Sequence, residues 1–588
     1  MRSSYKYIIL ILFVLMPGLL YSQSQDWVRK SIYPQADSGK SKIYNWMWGR
    51  HYRLLYTIPI RVPSATIETL GGGMDIVGQA EGFHGLLLEN KRKQLYLLKP
   101  LGGSTSFLES KFFREIYNKT DFKNTYLDEF LGDAYTIINP YTFLVADYLA
   151  KSAGLSFSPS RIYYIPSHIR KDTVADGSDI QDRLVNLINV PDINLRSNLY
   201  TTEDFLDSLQ VSKNYMADQN LYIRERIFDM WTGDWNKTNE NWEWQSHTVN
   251  DSVIYTPIVI DRNHAFTKVD GVLFKQMLKM LSLDFICNYD SLILKDTKKI
   301  NKLAFALDMA VAGRSDESVW IRQAQEIRKQ MTDSLIDSAF TYLPEGVKHD
   351  EIELIKRKLK RRRLELEAVA SQYYRLLQRT PVVAGTNQSD YFLIERQAPD
   401  RTILRIYDPE TGDCRLEQQF SGKETKELWL YGLAGNDTFE VKGNTRKDFP
   451  IYLISGEGEN QYQLNHNRKI HVYDKDYKYD YQKIKYHKIS FTPWGIYDSD
   501  KGISLGTFFT YTMYGFKRAP FTYQHRIGYN YLKGFMYAGI FPNYDGRRRL
   551  YLNASISSPR NFENFFGFGN NTAGYKEEKK NYNRVKLR

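Results

Sequence analysis

The stretch from Gly233 to Trp242, GDWNKTNENW, gathers Asp234, Asn236, Asn239, Glu240 and Asn241 into one short polar segment. It follows a helical pattern, LYIRERIFDMW from Leu221, and leads through Trp242 and Trp244 into an apolar run from Tyr255 to Ile260 that ends on Asp261. Hard divalent cations take carboxylate and amide oxygens, and phosphate chemistry needs such a cation to offset developing negative charge. Loop and strand end together therefore read as a phosphate-metal site, with Mg2+ or Mn2+ and a nucleotide as its cofactors. The bland alternative is that Asp and Asn merely cap helices and turn the chain, two positions both residues favour.

The elements around this stretch must hold it in place. Ile227, Phe228 and Trp231 share one face of the preceding helix, and Gly233 suits the left-handed turn that ends it. Upstream, residues 85–89 and 94–99 read as a hairpin whose second strand delivers Lys99, a candidate phosphate-binding ammonium. Helical patterns follow over 126–137 and 140–153. The first carries Asp133, which would face Lys99 across a cleft, although a solvent-facing Asp is the commoner case. Mostly helical patterns run from Phe266 to about residue 380. In the last of them, over 350–377, Ile352, Ile355, Leu359, Leu366 and Val369 recur at helical spacing, so the run KRKLKRRR reads as its solvated face.

At Pro381 the period changes to that of strands, and residues 381–495 read as an all-β domain divided by Asp/Gly/Asn turns. The turns at Gly435-Asn436-Asp437 and Gly456 to Asn460 resemble calcium-binding nonapeptides, but the strict repeat is missing and they read as plain turns. Beyond residue 496 the alternation is sharp. Phe521, Tyr523, His525, Ile527, Tyr529 and Tyr531 fall on one face, as do Ile503, Leu505, Thr507, Phe509, Tyr511 and Met513, and then Leu550, Leu552, Ala554 and Ile556. Each run approaches the roughly 9–11 residues a tilted strand needs to cross a bilayer. The competing reading is a soluble sandwich. Only three or four such strands precede Arg588, too few for a closed barrel, so either the chain is truncated or another chain completes the sheet.

Composition narrows the class. The chain has 588 residues, a net charge of +12, 14% aromatic residues and a mean hydropathy of -0.50. That mixture fits amphipathic β-structure better than a bundle of membrane helices. Basic runs are scattered and no nucleic-acid module is present, so nucleic acid is excluded as a partner, while anionic lipid or an anionic glycan remains open. Arg2 and Lys6 precede an apolar run from Ile8 to Leu20, the form of a secretory signal over residues 1–22. Cys287 and Cys414 are far apart and read as isolated thiols.

Taken together, GRHYR at 49–53, the glycines at 71–73, Asp133 seven residues before Pro140, GDWNKTNENW, DRNHAF at 261–266, ETKELWLYGLAGNDTFEVKG at 424–443 and NFFGFGNN at 564–571 resemble a family of Bacteroidetes-type envelope proteins. Its longer members join a metallophosphoesterase domain to a middle region and a surface-antigen type outer-membrane barrel. The resemblance covers the middle region and the barrel start. No metallophosphoesterase motif occurs. The middle region is also similar to the protein-kinase-like fold of spore-coat and toxin-type kinases. On that pattern Asn241 and Asp261 are the metal ligands and Lys99 the phosphate-binding residue, and Asp133, as the candidate partner of Lys99, joins it on the cofactor-binding side. The catalytic Asp falls on Asn236 and its His on Thr238, which leaves Asp234 as the nearby substitute base.

The resemblance implies a multidomain chain. Residues 25–75 form a lead segment, 76–380 a kinase-like α+β region, 381–495 the all-β domain and 496–588 the first strands of an incomplete outer-membrane β-barrel. It implies an outer-membrane protein with a degenerate, non-catalytic periplasmic or surface-exposed region that binds or assembles, with lipid and an envelope protein or glycan as partners. The competing expectation is an active metal-dependent phosphotransferase or nucleotide-binding enzyme.

Overall fold

The computed structural model describes residues 26–80, 85–102, 126–167, 180–189, 198–259, 262–347, 349–397, 399–443, 448–464, 469–473, 478–498, 502–516, 518, 520–542, 548–565, 578–581 and 585–587. The expected leader and Asp261 lie outside them. The described residues make a multidomain α+β protein with an α+β region, a stacked β-domain and an open C-terminal sheet.

The α+β region begins on a five-stranded antiparallel sheet. Its strands stand in the order Met74–Ala80, Gly85–Asn90, Leu95–Pro100, Arg183–Asn189, Ser160–Ile165. Helices Tyr126–Tyr135 and Phe143–Ser152 fall in the chain between the third and fourth of these strands. One face is apolar, with Leu86, Leu88, Leu98, Tyr163, Val185 and Leu187 in a single buried cluster. The lead segment is strapped across the helical side. Arg53 is fully buried and donates from Nη1 to both oxygens of Asp133 at 2.9 and 3.0 Å, while Tyr52 donates to the Phe266 carbonyl at 2.6 Å.

The Gln219–Thr232 helix forms the spine of the second half. Asp218 caps it by accepting the Leu221 N–H at 3.0 Å, and Gly233 ends it at φ 78° with its N–H on the Asp229 carbonyl at 2.8 Å. A Cβ on Gly233 would lie 2.7 Å from the Tyr289 ring, so that position requires glycine twice over. The helix is buried on every side rather than along one stripe. Its polar residues are therefore inside the protein.

The expected long helix over 350–377 is two helices, Asp350–Arg363 and Leu366–Leu377. The break turns one member of the basic run inward, against the expectation of a wholly solvated face. Arg362 is buried, stacks 4.3 Å from the Tyr289 ring centre, and donates to the carbonyls of Met230 at 2.5 Å and Asp290 at 3.2 Å. Lys358 likewise donates to the Tyr289 carbonyl at 2.7 Å. The apolar spacing was legible; which charge closes the gap between two helices was not.

Past Pro381 the chain winds as a solenoid. Val382–Ala384, Leu428–Tyr431, Ile451–Ile454 and Ile470–Tyr473 form one parallel sheet, and Tyr391–Gln397, Thr438–Gly443 and Gln461–Leu464 run parallel in a second. The strands Arg401–Tyr407 and Cys414–Ser421 extend the second sheet as an antiparallel hairpin. Phe392, Ile394, Phe439, Val441, Leu430 and Leu453 fill the space between the sheets. A linker through Tyr479, Tyr481 and Tyr486 then crosses back over the α+β region, with the Tyr486 ring tilted against Phe305 at 3.9 Å between centres.

The last sheet is antiparallel and open, in the order Lys488–Asp498, Gly502–Met513, Tyr523–Asn530, Gly534–Pro542, Arg549–Ile556, Val585–Leu587. Its first strand starts before residue 496, where the sequence pattern placed the start. Among the described residues no helix is long and apolar enough to cross a membrane. The free thiol of Cys287 is pushed up to about 12 by burial, which makes it a poor nucleophile.

Replacing Arg362 with Ala removes the donor to two buried carbonyls and the stacking on Tyr289. The variant is expected to lose about 2–4 kcal/mol of stability, read from the midpoint of urea unfolding. A loss under about 0.5 kcal/mol, the usual range for surface changes, would show that the arginine is not part of the core.

Candidate functional site

The loop after Gly233 rests on a lattice of buried charge. Glu225, Asp229, Asp234 and Asp308 are buried with Arg226, Lys237 and Arg262, four carboxylates against three cations. Arg226 donates from Nε to Asp308 at 2.7 Å, from Nη1 to Asp229 at 2.8 Å and from Nη2 to Asn301 at 2.6 Å. Asp308 also accepts from Tyr222 at 2.7 Å and from Tyr373. Arg262 donates to Glu225 at 2.6 Å, and Glu225 in turn accepts from the Ser156 hydroxyl at 2.8 Å. Each ion has at least one charged partner, the condition under which charge survives burial. The match is incomplete: Asp229 Oδ1 meets only the Lys237 ammonium at 3.5 Å, Arg262 Nε makes no hydrogen bond, and burial pushes the Glu225 and Asp229 carboxyls upward against their cations.

Asp234 belongs to this lattice. Its carboxylate is paired with the Lys237 ammonium at 2.5 Å, and the same ammonium lies 3.5 Å from Asp229. Burial pulls the lysine down, but Asp229 and Asp234 outweigh it and hold the ammonium above its ordinary range. A carboxylate paired with a buried ammonium that two carboxylates hold protonated is a structural ion. That position gives it no open route to a substrate hydroxyl.

Asn241 closes the loop. Its Oδ1 accepts from the backbone N–H and from the hydroxyl of Thr238, both at 2.8 Å, so both lone pairs of that oxygen are occupied. Asn239 is tied to the Thr202 hydroxyl through its carbonyl at 2.8 Å, to Glu203 at 2.9 Å, and to the hydroxyl of Tyr481 in the linker. Asn236 points elsewhere. Its Nδ2 meets Nδ1 of His264 at 3.4 Å, and the imidazole stands edge-on to Trp235 with ring centres 4.8 Å apart.

The loop is followed by the hairpin Trp242–Val249 and Ser252–Val259, paired over its whole length. Trp242 and Trp244 are buried, and Phe205 stacks on Trp244 at 3.7 Å. The hairpin carries the chain to Asp261, which lies outside the described residues. Lys99 is half-buried opposite Asn186 in the first sheet. Asp133 is taken up by Arg53 and by the Tyr44 hydroxyl at 2.7 Å, with Lys40 at 4.0 Å. Among the described residues no three His, Cys, Asp or Glu side chains converge as metal ligands. Of the two expected metal ligands only Asn241 is described, and its oxygen is already taken up by Thr238.

The sequence missed His264, because DRNHAF drew attention to its first residue and the imidazole reaches Asn236 only through the folding back of the hairpin. It also missed Glu225, Arg226 and Asp229, which a reading of their helix by its one apolar face left without a role.

No protein-family profile matches the chain, and no curated protein matches it. Among solved structures it is similar to the Helicobacter pylori proinflammatory kinase CtkA, at 11% identity and a TM-score of 0.27, over 54% of this chain and 99% of that one. It is also similar to the Shewanella oneidensis MR-1 toxin-antitoxin system HipA, HipB with its operator DNA, at 8% identity and a TM-score of 0.21, over 39% of this chain and 57% of that one. These neighbours are weak, and likenesses this distant carry no functional argument.

Lys237→Met would leave Asp229 and Asp234 buried without their shared cation. A loss of about 3–5 kcal/mol is expected, and adding Asp234→Asn to the same chain should recover part of it. Strict additivity in that double-mutant cycle would contradict the pairing.

Proposed function

We propose that the chain is an outer-membrane-associated envelope protein, in which a kinase-like cleft retained for binding is tethered by a C-terminal sheet with one face against lipid. The observation that carries this reading is the reversed polarity of that sheet. Ile489, Ile503, Leu505, Phe509, Ile527, Phe535, Leu550 and Ile556 are each more than half exposed, while Ser504, Thr510, Thr512 and Asn530 are buried. Register puts the apolar residues on one face, with Phe509 opposite both Phe491 and Ile527, and Leu552 opposite Gly539. The buried apolar side chains in the described part of this segment are Phe516, Leu532 and Pro542. A water-soluble sheet has the opposite arrangement, and strands facing hydrocarbon have this one.

Order of parts supports the kinase-like half of the reading. A five-stranded antiparallel sheet with helices between its third and fourth strands precedes a buried helix, a polar loop, a hairpin and Asp261. That order sets the polar loop and the strand end, on which the resemblance to the protein-kinase-like fold rests, directly after a buried helix and a hairpin. An amide at 236 cannot accept a proton, and Asp234 is neutralised by Lys237, so binding is favoured over transfer. One contact favours the second reading, an active phosphotransferase: the His264 imidazole stands beside Asn236, where it could take the proton that the amide cannot.

Flotation of the full chain with phospholipid vesicles tests the tether. The native chain should float with the lipid, and Leu505→Asp with Phe509→Asp should leave it in the dense fraction while the α+β region stays folded by circular dichroism. Equal flotation of both would remove the lipid-facing assignment. Transfer of radiolabelled γ-phosphate from ATP tests the cleft: no transfer above background is expected, and transfer abolished by His264→Gln would establish the second reading instead.

A further inference from the structure

The turns of the solenoid, residues 385–390, 432–437 and 455–460, are of equal length and stand in register, because Tyr391, Thr438 and Gln461 pair directly after them. Their last residues form a column of Asp390, Asp437 and Asn460. Asp437 Oδ1 accepts the N–H of Asp390 at 2.8 Å, and Asn460 Oδ1 accepts the N–H of Asp437 at 2.9 Å. At the end of the column Asp390 Oδ2 accepts from the N–H and hydroxyl of Thr386 at 2.7 and 3.0 Å.

One atom breaks the pattern. Asp437 is fully buried, and its Oδ2 has no hydrogen-bond partner. It faces the backbone of the same turn. A Cβ placed on Gly432 would lie 2.2 Å from Asp437 Oδ2 and 2.5 Å from the Ser455 carbonyl oxygen, so two acceptors crowd one spot beside that glycine. Neither can donate to the other while the carboxyl is ionised. Leaving an ionised oxygen dry and unpartnered there is among the costliest arrangements a protein interior can adopt.

The sequence around this rung, Gly432-Leu433-Ala434-Gly435-Asn436-Asp437, has most of the spacing of a calcium nonapeptide, and Leu433, where that pattern has a second Gly, sits at φ 78°. The neighbouring turns depart further from that pattern: the next carries Ser455 and Asn460 where it has Gly and Asp, and the preceding one carries Thr386 and Gln388 where it has Gly.

We propose that Asp437 is a neutral carboxylic acid in the folded protein, that its proton joins Oδ2 to the Ser455 carbonyl, and that the solenoid loosens when this proton is lost. The charged groups facing it are Asp390 and Lys213. Burial drives the Asp437 carboxyl up to about 8; the Asp390 N–H opposes this, the Asp390 charge adds to it and Lys213 opposes it. Unfolded, the group titrates near its ordinary value of 3.8. Between those two values the folded chain holds the proton more tightly than the unfolded chain, so this group's contribution to stability falls steadily from about pH 4 to about pH 8 and is level above.

The rung stands at a joint. Lys213, from the α+β region, pairs with Asp408 of the solenoid's hairpin at 2.8 Å, and the Asn387 N–H donates to the Gln210 carbonyl at 2.6 Å. Loosening the turns therefore loosens the seat of the α+β region on the solenoid.

Thermal unfolding of the full chain in detergent micelles, followed from pH 5 to pH 9, tests the assignment. Asp437→Asn supplies without titration the side chain that Asn460 already places one turn on. Its melting temperature should match the native chain near pH 5 and exceed it by several degrees at pH 9. An offset independent of pH would overturn the proposal, as would calcium-dependent stabilisation of the native chain that Asp437→Asn abolishes. Should that variant not fold, Asp390→Asn removes the neighbouring charge. It should move the midpoint of the native pH profile downward, and an unmoved midpoint would again overturn the proposal.

Discussion

Desolvation is the constraint on which the rest of the structure depends. Inside the α+β region it decides which charges can be held, and there every ion in the lattice around Gln219–Thr232 is met by a directed partner. Breaking one partner leaves a bare ion at low dielectric, so the helix, the loop after it, Arg262 beyond the hairpin and Asp308 on a later helix must be positioned together. The loop is thus held by charge as well as by packing. Its acid is consumed in doing so.

In the C-terminal sheet the same constraint acts with the opposite sign. Apolar side chains left in water cost roughly 25 cal/mol for each Å² uncovered, and contiguous apolar patches on soluble monomers seldom pass a few hundred Å². A face built from Ile503, Leu505, Phe509, Ile527 and Phe535 is stable only beside a neighbour as apolar as itself. Its polar face is turned inward, with Ser504 bonded to Asn530 and Gln524 donating to Thr512 at 2.8 Å. The two halves of the chain therefore bury opposite chemistries, and the tyrosine-rich linker between them is seated on the first through Tyr481 and Tyr486.

Much of this was legible in the amino-acid sequence, for identifiable reasons. Gly233 as a left-handed stop, the alternation of Ile503 to Met513, and the strands at Tyr391 and Ile451 are all local patterns that tertiary context had no reason to override. The stacking of the turns into a parallel solenoid was not legible, because the inserted hairpin separates Asp390 from Asp437 by 47 residues and hides the repeat. Nor were the partners of the site residues. Asp133 was read toward Lys99 but is gripped by Arg53 from 80 residues upstream, and Asp234 was read as a base but is paired with Lys237 three residues on. Residue type announces what chemistry a side chain can do, while the partner that claims it is set by long-range packing.

The most direct test of the account is the environment of the two faces of the Gly502–Met513 strand in lipid. Nitroxide labels placed one at a time from residue 503 to residue 511 of the full chain in vesicles would be probed with oxygen, which concentrates in hydrocarbon, and with a water-soluble nickel chelate. The expected result alternates with a period of two: labels at 503, 505 and 509 favour oxygen, and labels at 504 and 510 do not. Uniform access of the nickel chelate to the 503, 505 and 509 positions would place that face in water and contradict the account.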